Sequence, residues 1–134
     1  MHTTNYYNTF IEIAEDCPVA AAEIPPQKGE EKTVANLQFD LIVEHPYRYT
    51  SDEIIFGIHA LRKGIPANEA ERSAFFSKGQ ACMRSSPLPK RYGWGVHHNA
   101  EGKVAIYPAE SEDYRNLIAD TAVKKVKAMR SKRA

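Results

Sequence analysis

The residues best equipped for chemistry lie between Phe75 and Tyr107, in the run FFSKGQACMRSSPLPKRYGWGVHHNAEGKVAIY. It holds the only Trp, one of the two Cys, two of the five His and four of the seven Gly. Five cations (Lys78, Arg84, Lys90, Arg91 and Lys103) face a single acid, Glu101. Guanidinium groups orient carboxylate or phosphate through paired hydrogen bonds, and a His adds a donor whose charge changes near neutral pH. Arg84, Arg91, His97 and Lys103, around a floor made by Gly93 and Gly95, therefore suggest a site for a small anionic ligand. Cys82 with His97 suggests a second chemistry, a thiolate–imidazole pair in a cationic setting. The bland counterpart is an inert buried thiol.

Strand alternation supplies the geometry behind the first reading. If residues 91–98 and 103–107 form a hairpin joined by Asn99–Gly102, then Tyr92, Trp94, Val96 and His98 share one face. That bulky face is expected in the core, with Trp94 and Ile106 buried. Arg91, Gly93, Gly95 and His97 share the other face. Two interior glycines weaken a strand unless something approaches its backbone closely. Either a helix packs on them, or they floor a shallow groove with a cationic rim.

Other site types find no support in the spacing. His97 and His98 diverge on a strand, so they do not converge on one ion, and no His or acid follows at ligand spacing. No phosphate loop, dinucleotide fingerprint or nucleophile elbow is present, and no cofactor is indicated. Aromatics interleaved with bases at Lys90–Trp94 could stack on single-stranded bases. A nucleic-acid or protein-interaction domain is thus the third reading, after an anion-binding module and a Cys82/His97 enzyme.

The string Ala81-Cys-Met-Arg-Ser-Ser-Pro-Leu-Pro-Lys-Arg-Tyr-Gly-Trp-Gly-Val-His-His98 resembles the signature of a family of small bacterial proteins of unknown function. The opening Asn5-Tyr-Tyr-Asn-Thr-Phe-Ile11, the Pro-Pro-Gln-Lys-Gly29 loop and Pro46-Tyr-Arg-Tyr-Thr-Ser-Asp52 are similar to it as well. The resemblance spans nearly the whole chain. It implies no activity and no catalytic residues.

The elements that must position these residues point to an α+β domain: a small, mainly antiparallel sheet with a C-terminal hairpin, covered by helices. Its length of 134 residues fits one domain, and that domain buries enough surface to fold without staples. Thr9–Ala14 reads as a strand. Pro18, Pro25, Pro26 and Gly29 make residues 15–32 a long loop. Residues 33–44 fit a strand by alternation, but Thr33 offers a cap and their length favours a helix. Thr50–Glu53 is a capping box, and Ile54, Ile55, Ile58 and Leu61 continue at helical spacing, with a strand as the alternative. A further helix over 66–76, a strand over 80–85 and a rigid Ser86–Pro89 connection follow.

Ser111 caps a last amphipathic helix, with Tyr114, Ile118, Ala122, Val126 and Met129 along its stripe. The basic end, 124–134, is expected to fray into solvent. No apolar run approaches the roughly 18 residues a membrane span needs, and no secretory leader is evident. Cytoplasm is the expected compartment, with Cys17 and Cys82 as free thiols. Oligomeric state is not encoded in any recognisable pattern.

Overall fold

The computed structural model describes residues 1–131. Four strands form one sheet in the order β3-β2-β1-β4: β1 (Thr9–Glu12), β2 (Trp94–His98), β3 (Val104–Pro108) and β4 (Lys124–Lys127). β1–β2 and β2–β3 are antiparallel, while β1–β4 is parallel. Helices α1 (Val34–Glu44), α2 (Ser51–Lys63), α3 (Glu69–Phe75), α4 (Pro87–Arg91) and α5 (Glu112–Ala119) complete the α+β domain.

The helix starts follow from side-chain caps. Thr33 and Asn36 cap α1 reciprocally, and Thr50 and Glu53 do the same for α2. Gly64, at φ +66°, supplies the left-handed residue that ends α2. Both stretches are helices, so the strand alternatives for 33–44 and 51–62 fall away. The buried Asp52 in the first turn of α2 accepts from the Thr4 amide and hydroxyl at 2.7 and 2.6 Å. Those contacts pin the N-terminal residues at the positive end of the helix.

Alternation on the strands then sets the core. Ile11, Val96 and Val104 point to one face and pack under Ile42 of α1 and Ile54 and Ile58 of α2, with Met83 and Leu88 closing the cluster. Fully burying each such side chain contributes about 1.5–3 kcal/mol. Phe56, Ala60 and Phe76 form a second cluster behind α2.

Several expectations need correction. Residues 80–85 are not a strand but lead into a 3-10 turn at Met83–Ser85, with Met83 fully buried. Ser86–Pro89 is not a rigid connection. Ser86 caps α4 and Pro87 occupies its first turn, where a missing N–H costs nothing. Arg91 accordingly ends a helix instead of opening a strand. The last helix stops at Ala119, where the Asp120 carboxylate turns back to accept from the Ala122 amide. Lys124–Lys127 then extends beside β1, so this part of the basic end is docked instead of frayed. Residues 132–134 of that end lie outside the described residues.

Candidate functional site

The glycine face is covered by the chain itself. Gly95 points away from α1 and α2, and the rings of Phe10 and Tyr114 lie directly over it. A Cβ at Gly95 would sit 2.3 Å from Phe10 Cζ and 2.6 Å from Tyr114 Cε2. The two rings meet edge to face at 4.9 Å, and the Ile13 amide donates to the Tyr114 hydroxyl. Gly93 has φ +79°, and Val19 and Ala22 of the 15–32 loop stand 3.1 Å from where its Cβ would be. The loop is held there by Glu23 N–H to the Tyr92 carbonyl, and by Ala22 N–H to the Glu110 carboxylate. Of the two readings of these glycines, close packing accounts for both, and the open groove is filled. Trp94, expected in the core, is half-buried against Phe39, and its indole N–H reaches the Glu23 carbonyl.

The expected cations do not converge. Arg84 donates from Nε to the Lys127 carbonyl, at the β4 edge. Lys103 lies just before β3, at the other edge, with Glu101 at 3.7 Å. Arg91 lies beyond the Trp94 end of β2, and Lys103 beyond its His98 end.

Cys82 and His97 are not paired either. Cys82 Sγ lies 3.2 Å from the Tyr6 hydroxyl, and the Tyr6 ring stands edge-on to His98 at 5.3 Å. Burial, reinforced by Cys82, pushes the Tyr6 phenol up to about 12, while Arg84 pulls the other way. His97 faces the opposite side of the sheet. Its Nδ1 is 2.8 Å from the Tyr47 hydroxyl, which is 2.6 Å from that of Tyr107. Burial holds His97 below its usual pKa, with Asp120 opposing, and burial followed by Tyr107 raises that of Tyr47.

His98 is fully buried, and no described group makes a hydrogen bond of ordinary geometry to either ring nitrogen. Burial first, and His97 second, depress it to about 4. The backbone of Thr9 and Val96 lies close enough to favour the charged ring a little without forming such a bond. Tyr6 and Tyr47 carried no local signal of these roles, whereas strand alternation already puts His98 on the face expected in the core. Tyr47 reaches the sheet only because its backbone turns at φ +58° and its amide bonds to the Val104 carbonyl.

One expected residue, Arg91, does border a recess. A cleft of about 320 Å³ opens between α1 and α4, lined by Lys28, Thr33, Val34, Lys90, Arg91 and Tyr92 among others. Among the described residues, no acidic side chain lines it. Two buried polar side chains of α1 fix its walls. Asn36 donates to the Pro25 carbonyl at 2.8 Å, which holds the loop carrying Lys28. Gln38 accepts from the Ser86 hydroxyl at 2.5 Å, which anchors the start of α4 and so Lys90 and Arg91. The first turn of α1 carries no acid, and Thr33, Val34 and Ala35 at its start line the same space. Lys28 and Lys90 were visible in the sequence, but nothing local joined them to Arg91.

Among the described residues, no group of three His, Cys, Asp or Glu side chains is placed to hold a metal ion. No helix among them is long and apolar enough to cross a membrane.

Fold and cleft together define a small α+β domain with a mixed four-stranded sheet and a basic recess beside it. The chain belongs to a family of unknown function (DUF6157), whose profile matches residues 1–134. No curated protein and no solved structure matches it.

Proposed function

We propose that the protein is a binding module for a small anionic ligand, held in the α1–α4 cleft instead of on the glycine face. The observation that carries this reading is the acid-free lining that brings Lys28, Lys90 and Arg91 to one recess. The Arg91 guanidinium would engage two oxygens of a carboxylate or phosphate. The two ammonium groups would supply point charge, and the N-terminal end of α1 adds its positive dipole. Val34 and Tyr92 offer apolar contact for the body of the ligand.

Titration calorimetry with inorganic phosphate, citrate and a nucleoside monophosphate tests the reading. We expect at least one of them to bind, with affinity that falls as salt rises. Arg91→Ala should weaken that binding by about tenfold or more, the scale of a lost charged hydrogen bond. Absence of binding by all three anions, or binding indifferent to both Arg91→Ala and Lys28→Ala, overturns it. The protein is further read as cytoplasmic, because Cys17 and Cys82 are both free, half-buried thiols.

A further inference from the structure

A second, open recess of about 500 Å³ lies between α1 and α2. Its floor is apolar: Leu37 and Leu41 come from α1, and Ile58 and Leu61 from α2. Leu61 is 68% exposed, a large apolar side chain left facing water.

Gly57 also lines this floor, in the middle of α2. A glycine inside a helix costs about 1 kcal/mol relative to alanine. Such a cost normally has a reason in the chain. Gly95 has one, because two rings occupy the space of its missing side chain. Gly57 has none: its backbone is helical, and apart from its chain neighbours and the backbone of its own helix, no described atom lies within 4 Å of a Cβ built on it. A missing side chain in an open apolar floor lets the backbone of an outside partner come close.

The rim identifies the kind of partner. Asp40 and Glu44 on α1 and Glu53 on α2 border the recess. Lys32 is the one cation among the described lining residues, and it lies 2.6 Å from Asp40. A second copy seated face to face would set this acidic rim against itself, which disfavours self-association. A partner with apolar residues on one side and Lys or Arg beside them satisfies both floor and rim. Between two helices, the shape that fits is a third helix. We propose that the α1–α2 groove docks a basic amphipathic helix of another protein, with Gly57 at the point of closest backbone approach.

The probe is a fluorescein-labelled amphipathic peptide with leucines along one face and lysines on the other. A matched peptide with glutamates replacing the lysines is the control. We expect the lysine peptide to bind and the glutamate peptide not to bind. Gly57→Leu fills the floor, and it should raise the melting temperature of the free protein while weakening peptide binding by about tenfold or more. Glu44→Lys should weaken binding with no change in melting temperature. The proposal is overturned if the lysine peptide does not bind, or if its affinity is indifferent to Gly57→Leu. It is also overturned if sedimentation shows a dimer that Gly57→Leu dissociates, since the occupant would then be a second copy.

Discussion

His97 and His98 are neighbours on one strand, yet they live in different solvents. His98 shares its side of β2 with Val96 of the aliphatic core, its ring edge-on to Tyr6, and neither ring nitrogen has a hydrogen bond of ordinary geometry among the described residues. His97 faces the other way, in a short chain of hydroxyls contributed by Tyr47 and Tyr107. The first face is held by aliphatic area, which tolerates volume-conserving change. The second is held by a few rings and hydrogen bonds whose fit depends on one absent side chain, at Gly95. The two faces of this sheet therefore fail differently: one through charge, the other through shape.

The largest effect should come from shape. Gly95→Val places methyl groups where Phe10 and Tyr114 already stand, and both rings are themselves buried. We expect a loss of about 3 kcal/mol or more in urea unfolding, at the upper end of overpacking costs. A parent-like midpoint would break the contrast between the faces.

Charge comes next. His98 titrates near 4 in the folded chain and near its ordinary value of about 6.5 when unfolded, so the unfolded state binds the extra proton. Stability is fully present above pH ~6.5 and lost as pH falls towards ~4, by up to about 3 kcal/mol. His98→Leu should flatten that part of the pH–stability curve. An unchanged slope in the variant would assign the acid sensitivity elsewhere.

Tyr47→Phe removes a hydroxyl that bonds both His97 and Tyr107. The expected cost is about 1 kcal/mol, the usual net worth of such bonds. Thermal melts of Tyr47→Phe and Tyr107→Phe should show similar losses, and their combination should cost less than the sum. Strict additivity would mean the hydroxyls act separately. The smallest effect is expected at Arg91→Ala, an exposed helix end: stability within about 0.5 kcal/mol of the parent, alongside the weakened anion binding.

These contrasts also mark what the chain makes legible. For α1 and α2 the pattern leaves helix and strand both open, and the signals that favour the helix are local, in Thr33 and in Thr50–Glu53. The hairpin could be read because Asn99 and Gly102 build its turn: the Asn99 carboxamide accepts from the amides of Glu101 and Lys103, and Gly102 sits at φ +78°. β4 could not. Tyr114, Ile118, Ala122 and Val126 keep helical spacing, and only pairing with distant β1 draws Lys124–Lys127 out straight. Pro87 and Pro89 looked like a stiff spacer because proline is equally at home in a first helical turn. At the site, the alternation of β2 was read correctly to the Gly95 side, but what covers that side comes from Phe10 and Tyr114, remote in sequence. Arg91 stands out in the sequence for its chemistry, while only the buried contacts of Asn36 and Gln38 bring Lys28 and Lys90 to the cleft that it lines.

The place of β1 in the sheet has a consequence for synthesis. Phe10 pairs with His97 on one side and Lys125 on the other, both made late. At roughly 5–20 residues per second, a ribosome leaves this strand without either neighbour for several seconds. Through that interval Phe10 and Ile11 sit in an unpaired strand, with apolar groups to both sides. Pairings so remote in sequence also close slowly once the chain is free. One of the two central strands of the finished sheet is thus the one that waits longest for its neighbours, and an aggregation hazard while it waits.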